Sequence, residues 1–115
     1  MIDHMGIRPA DIERARQFYD AALTPLGIAN VMEVTPDETG GYHGIGYGAG
    51  PKPFFWLSSD RRQAALEGPR GAGIHIAFEA GSRAAVDAFY QAALAQGGSD
   101  NGAPGIRPHY HPAYY

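Results

Sequence analysis

The chain repeats itself at an offset of 71 residues, and that repeat constrains the fold more than any other feature of the sequence. His4 falls on His75, Phe18 on Phe89, Tyr19 on Tyr90, Ala21-Ala22-Leu23 on Ala92-Ala93-Leu94, and Gly27 on Gly98. These are seven identities within 24 ungapped positions. Alanine-rich helices match one another by chance, so the weight rests on the histidines and the Phe-Tyr pairs. Self-similarity at a fixed period means one supersecondary unit built twice. A chain of 115 residues has room for one domain and one core, so both units must share it. We place unit one at 1–58, a linker at 59–72 and unit two at 73–115, within a single domain 1–115.

Each unit opens with a short strand. Alternation over Ile2–Ile7 sets Asp3, Met5 and Ile7 on one face and Ile2, His4 and Gly6 on the other. In Gly73–Phe78 it sets Ile74, Ile76 and Phe78 against Gly73, His75 and Ala77. The larger apolar set is expected to pack on the helix that follows, which turns both histidines to the helix-free side. Asp11 and Ser82 are the expected N-caps of the two helices. The stripe through Ile12, Ala15, Phe18, Tyr19, Ala22 and Leu23 recurs in Val86, Phe89, Tyr90, Ala93 and Leu94. The Phe-Tyr pairs are expected to join each helix to its own strand. Pro25 and Gly27 end or kink the first helix, and Gly97-Gly98 close the second.

Unit one continues with strands at Ala29–Thr35, Tyr42–Gly48 and Pro53–Ser58, so it reads strand, helix, strand, strand, strand. Gly44, Gly46, Gly48 and Gly50 alternate, but phosphate loops set their glycines before a helix, and these are expected to mark close backbone approach. Unit two is short. Gly105–His109 is one candidate strand and Tyr114-Tyr115 the start of another, while the counterpart of Pro53–Ser58 falls near 124–129. The repeat arithmetic therefore leads us to expect a chain that continues past Tyr115. The fold class is α+β: two tandem βαβββ units forming a curved mixed sheet, the second unit incomplete at its C-terminus.

Composition excludes several functions. There is no cysteine, which removes disulfides, thiolate metal sites and thiol nucleophiles. Nine Lys and Arg face twelve Asp and Glu, with no basic cluster beyond Arg61-Arg62, so no nucleic-acid partner is expected. No apolar run approaches the roughly 20 residues of a membrane span, and Met-Ile-Asp-His lacks a signal-peptide pattern; a cytoplasmic location is expected. Ser58 and Ser59 lack a glycine elbow and a paired acid, which argues against covalent catalysis.

Ile-Asp-His-Met-Gly-Ile at 2–7, Asp-Ile-Glu-Arg-Ala-Arg-Gln-Phe-Tyr at 11–19 and Gly-Ile-His-Ile-Ala-Phe at 73–78 resemble the vicinal oxygen chelate superfamily. That group contains glyoxalase I, bleomycin-resistance proteins, fosfomycin-modifying enzymes and extradiol dioxygenases. The resemblance covers nearly the whole chain and is specific for the fold rather than for an activity. In members with three protein ligands it implies His from the first strand, His from the fifth and Glu from the eighth. His4 and His75 match the first two positions as metal ligands, for Fe, Mn, Ni or Zn; the carboxylate's strand would lie beyond Tyr115. Glyoxalase-like members take a further ligand from the fourth strand, where Phe54, Phe55, Trp56 and Leu57 stand. None of these ligates a metal, which leans toward the three-ligand pattern. In the 115-residue form a tightly held metal is not expected.

Further candidates come from the residues themselves. Glu33 is the nearest carboxylate, although strand parity does not fix its face. His109 and His111 share one strand parity, a spacing that suits zinc, the rim of a pocket or plain surface residues, and the pocket rim is the reading we favour. Tyr110, Tyr114 and Tyr115 would supply aromatic walls with polar tips, and Trp56 an apolar wall from the other half. Substrate-binding candidates are therefore Trp56, His109, Tyr110 and His111, for a hydrophobic or aromatic small molecule. Three functions stay open: a metal-dependent lyase or dioxygenase acting on a small oxygen-bearing molecule, a metal-free sequestering protein, and a non-catalytic dimerising copy of the fold. A homodimer is expected because an unfinished unit leaves a sheet edge unpaired.

Overall fold

The computed structural model describes residues 1–63 and 74–115. Its elements in chain order are β1 (Met5–Ile7), α1 (Ile12–Leu23), a 3₁₀ turn (Thr24–Leu26), β2 (Ala29–Val34), α2 (Pro36–Thr39), β3 (Tyr42–Gly48), β4 (Phe55–Asp60) and α3 (Arg83–Ala95). The four strands form one curved, open sheet in the order β1-β4-β3-β2. β1 runs parallel to β4, and the other neighbours are antiparallel. The fold is α+β with a mixed sheet, and unit one has the expected βαβββ order.

Unit one owns the core. Leu23, Ile28, Ile45, Tyr47, Phe55 and Leu57 are buried together. Register explains the set: Ile45 lies opposite Leu57 and Tyr47 opposite Phe55, while Ile7 lies beside Leu57. These positions share the face against which α1 packs, with Tyr19 set 5.0 Å from Phe55 between ring centroids. Burying each such side chain contributes about 1.5–3 kcal/mol. The tyrosine of the first Phe-Tyr pair thus packs on β3 and β4, through Tyr47 and Phe55. Phe18 turns instead toward Gly98, at the exit of α3.

The helices repeat more faithfully than the strands. Asp11 accepts from the Arg14 amide and Ser82 from the Ala85 amide, so both caps sit at the offset of 71. The exits slip by one residue: the amides of Gly27 and Gly97 donate to Thr24 and Leu94, and these two glycines take φ of 71° and 87°. Gly97, not Gly98, therefore corresponds to Gly27. The cause is the 3₁₀ turn that Pro25 places after α1, whereas α3 runs on to Ala95.

The strands of unit two depart from expectation. Residues 74–80 form no strand, nor do 105–109 or 114–115; Gly73 lies outside the described residues, as does most of the linker (64–72). β1 is a strand because β4 pairs with it, and no described residue of unit two plays the part of β4. Ile76 and Phe78 pack against the core of unit one instead, Phe78 edge-on to Phe55 at 5.3 Å. α3 packs on α1 and the 3₁₀ turn, with Phe89 6.5 Å from Phe78. In the C-terminal segment the Arg107 amide donates to the Tyr114 carbonyl, closing a compact loop rather than a strand.

Candidate functional site

The side of the sheet away from α1 is built by parity. Gly6 lies beside Trp56, Trp56 opposite Gly46 and Ser58 opposite Gly44, and Gly44 opposite Val34. His4 precedes β1 in the same phase as Gly6. His4, Gly6, Val34, Tyr42, Trp56 and Ser58 line a cavity of about 460 Å³ on this face, a size suited to a small molecule.

The glycines of β3 make room for its aromatic walls. A Cβ on Gly46 would stand 3.0 Å from the Trp56 ring and 2.8 Å from Pro53 Cβ. One on Gly44 would stand 2.8 Å from the Tyr42 ring. Gly44 and Gly46 thus let Tyr42 and Trp56 lie close over the sheet, and the close approach expected at alternating glycines is made there by rings. At Gly48 it is made by backbone, 2.5 Å from the Lys52 carbonyl oxygen. Among the described residues, no Asp, Glu, Lys or Arg lines the cavity. Among the described residues, the hydroxyls of Tyr42 and Ser58 and the indole N–H of Trp56 make no hydrogen bond, and remain free for a ligand.

His4 is held from behind. Its Nδ1 lies 2.9 Å from Asp3 Oδ2, and Lys52 binds the other oxygen of the same carboxylate. The hydrogen bond to His4, followed by the Lys52 ammonium, keeps the Asp3 carboxyl below its ordinary range. The imidazole therefore has one nitrogen engaged and Nε2 left over.

A second polar cluster lies on the helix side. Glu33 is in register with the core residue Ile45. It accepts from Arg16 Nη1 at 3.2 Å, and its Oε1 lies 2.8 Å from His43 Nε2. The hydrogen bonds from Arg16 and then His43 draw its carboxyl down to about 2. Glu33 is thus fixed on the face opposite the cavity and cannot complete a ligand set with His4. Arg16 also explains why this acidic cluster is not a cation site, since its guanidinium already sits between Glu13 and Glu33. Nearby, the buried Tyr47 hydroxyl donates to Asp20 at 2.8 Å, and burial raises its pKa above the ordinary phenol value.

Of the residues singled out in the sequence, His4 and Trp56 share the cavity. His75 is exposed on the 74–80 segment and does not line it. His109, Tyr110 and His111 are exposed in the C-terminal loop. There the rings of His109 and Tyr110 lie 4.2 Å apart, tilted by 46°, and His111 Nδ1 accepts from the Ala113 amide at 3.1 Å. Among the described residues no three His, Asp or Glu side chains converge in a way that could hold a metal ion. The described donor set does not fit a three-ligand centre built on His4 and His75. Sequence reasoning missed Tyr42 and Ser58; the parity of Tyr42 with Gly44 and Gly46 was the signal that would have found the first.

The family model for the glyoxalase/bleomycin resistance protein/dioxygenase superfamily matches residues 1–114. The chain belongs to this superfamily. Among solved structures, this superfamily member is similar to a glyoxalase/bleomycin resistance protein from Albidiferax ferrireducens T118, with 27% identity and a TM-score of 0.58. The match covers 89% of this chain and 74% of that one. No protein of curated function matches the chain. The superfamily's own description joins three different activities, so membership leaves the reaction to be argued from the cavity. No helix among the described residues is long and apolar enough to cross a membrane.

Proposed function

We propose that this superfamily member binds a small, flat, uncharged molecule on the open face of its sheet, through protein groups alone. The observation that carries this is the chemistry of the cavity: two aromatic walls on a glycine floor, with no Asp, Glu, Lys or Arg among the described residues that line it. A ligand ring would stack against Trp56 and Tyr42, and the hydroxyls of Tyr42 and Ser58 would fix its orientation. Of the functions left open by the sequence, metal-free small-molecule binding is the one this lining supports. Trp56 is the chain's single tryptophan, so its indole N–H gives one NMR signal that reports on the cavity. Titration with 2-naphthol under chelator is expected to shift that signal saturably. A ligand bound only after a divalent metal is added would overturn the proposal in favour of the metal-dependent enzyme.

We further propose pairing of two chains. Met1 and Ile2 are exposed and Met5 is 37% exposed, all beside β1, whose outer edge no described strand covers. Such an edge invites pairing. Sedimentation at micromolar concentration is expected to show a dimer, and a monomer throughout would contradict it.

A further inference from the structure

Asp3 is not among the residues that line the cavity, yet its carboxylate touches Nδ1 of His4, which is. We propose that Asp3 is a positioning residue: it accepts the Nδ1 proton of His4, fixes the tautomer and so presents Nε2 to the cavity as a hydrogen-bond acceptor. The site then selects uncharged aromatic molecules that carry a hydroxyl donor. This deepens the binding function proposed above and rests on it.

Three observations converge. The 2.9 Å contact from His4 Nδ1 to Asp3 Oδ2 has one consistent reading in a neutral imidazole, because a carboxylate can only accept. Which nitrogen of a histidine is bare is set by the bond the other makes. Next, Lys52 binds the second oxygen of the carboxylate, so Asp3 is itself anchored just ahead of β1. Finally, the cavity lining offers hydroxyls and an indole N–H but, among the described residues, no lysine or arginine. A carboxylate ligand would find no cation there, and an ammonium ligand no anion. The remaining lining groups either donate or can do both. Nε2 is the group that tells a donor from a non-donor, since Tyr42 and Ser58 hydroxyls can rotate to serve either.

The test compares 2-naphthol with 2-methoxynaphthalene, which has the same ring system and no proton to donate. Titrations run at about pH 8, above the ordinary imidazole range. The wild-type protein is expected to prefer 2-naphthol by about fivefold to tenfold, the size of one net hydrogen bond. His4→Phe should bind both with similar affinity. Asp3→Ala, which leaves the ring in place and frees its tautomer, should lose most of the preference while keeping the affinity for 2-methoxynaphthalene. Nitrogen-15 shifts of the His4 ring supply a readout that a merely structural Asp3 would not move. They should report bare Nε2 in the wild type and mixed tautomers in Asp3→Ala, with Asp3→Glu restoring the first pattern. Equal binding of both probes by the wild type would overturn this inference and leave the binding function standing. So would an Asp3→Ala protein with unchanged preference. Binding of neither probe would overturn the binding function itself, and this inference with it.

Discussion

Residues 2–7 and 73–78 have nearly the same alternating pattern, yet a strand forms at Met5–Ile7 and none over the described residues 74–78. The difference is the partner. Met5, Gly6 and Ile7 pair with Phe55, Trp56 and Leu57, whereas 74–80 has no described strand beside it and gives Ile76 and Phe78 to the other unit's core. Helices α1 and α3 behave otherwise, because a helix satisfies its backbone internally. Both form, with their caps at the same offset. A repeat is thus expressed in the elements that close their own hydrogen bonds and lost in those that need a neighbour.

The comparison can be broken most directly in the core. Phe55, buried between β3 and α1, is expected to cost about 3–5 kcal/mol as Phe55→Ala. The half-buried Phe78 should cost about 1–2 kcal/mol as Phe78→Ala, since it covers that core rather than fills it. Urea denaturation measures both. Equal losses would mean that the two units share the core on equal terms.

A smaller effect is expected at the glycines. In unit one, Gly48→Ala would press a Cβ to within 2.5 Å of the Lys52 carbonyl oxygen, where backbone must move, costing about 1–3 kcal/mol. In unit two, Gly81→Ala meets nothing within 4 Å and should stay within about 0.5 kcal/mol. A tolerant Gly48 would show that the turn after β3 is looser than its geometry.

Acid should then act mainly on unit one. The Glu33 carboxyl is drawn from 4.5 down to about 2, so its ionised form stabilises the fold above the unfolded-chain value. That contribution is lost as pH falls from 4.5 toward about 2. The side chain is 34% exposed, so screening leaves roughly 1 kcal/mol. Glu33→Gln should flatten the acid limb of stability against pH by that amount. An unchanged acid limb would mean that Arg16 and His43 do not hold Glu33 in solution.

The smallest change is expected at His75. It is exposed on an unpaired segment, and His75→Ala should leave stability within about 0.5 kcal/mol and ligand affinity unaltered. A loss of affinity comparable with that of His4→Ala would restore a site shared by the two units.

Much of unit one was legible from local rules: alternation placed β3 at Tyr42–Gly48 to the residue, and Asp11 and Ser82 announced their helices. The short helix α2 was read only as a turn, although Thr35 and Glu38 form its capping box. The failures in unit two are non-local, since alternation states which face a strand would bury and not whether anything pairs with it. The same limit governs the site. Parity put His4 on the open face, and register, which only the fold supplies, brought Trp56 and Ser58 beside it and sent Glu33 to the other side. The C-terminal histidines looked alike in spacing, but the bond between Arg107 and Tyr114 folds them into a loop of their own.

The central claim is that the site belongs to the open face of unit one. It is tested most directly by following the amide and indole signals of isotope-labelled protein during a 2-naphthol titration. The account predicts saturable shifts at Trp56, Gly6, Gly44, Gly46 and Ser58, with His75 and 109–111 unmoved. Shifts centred on 109–111 or on His75, with Trp56 silent, would contradict it.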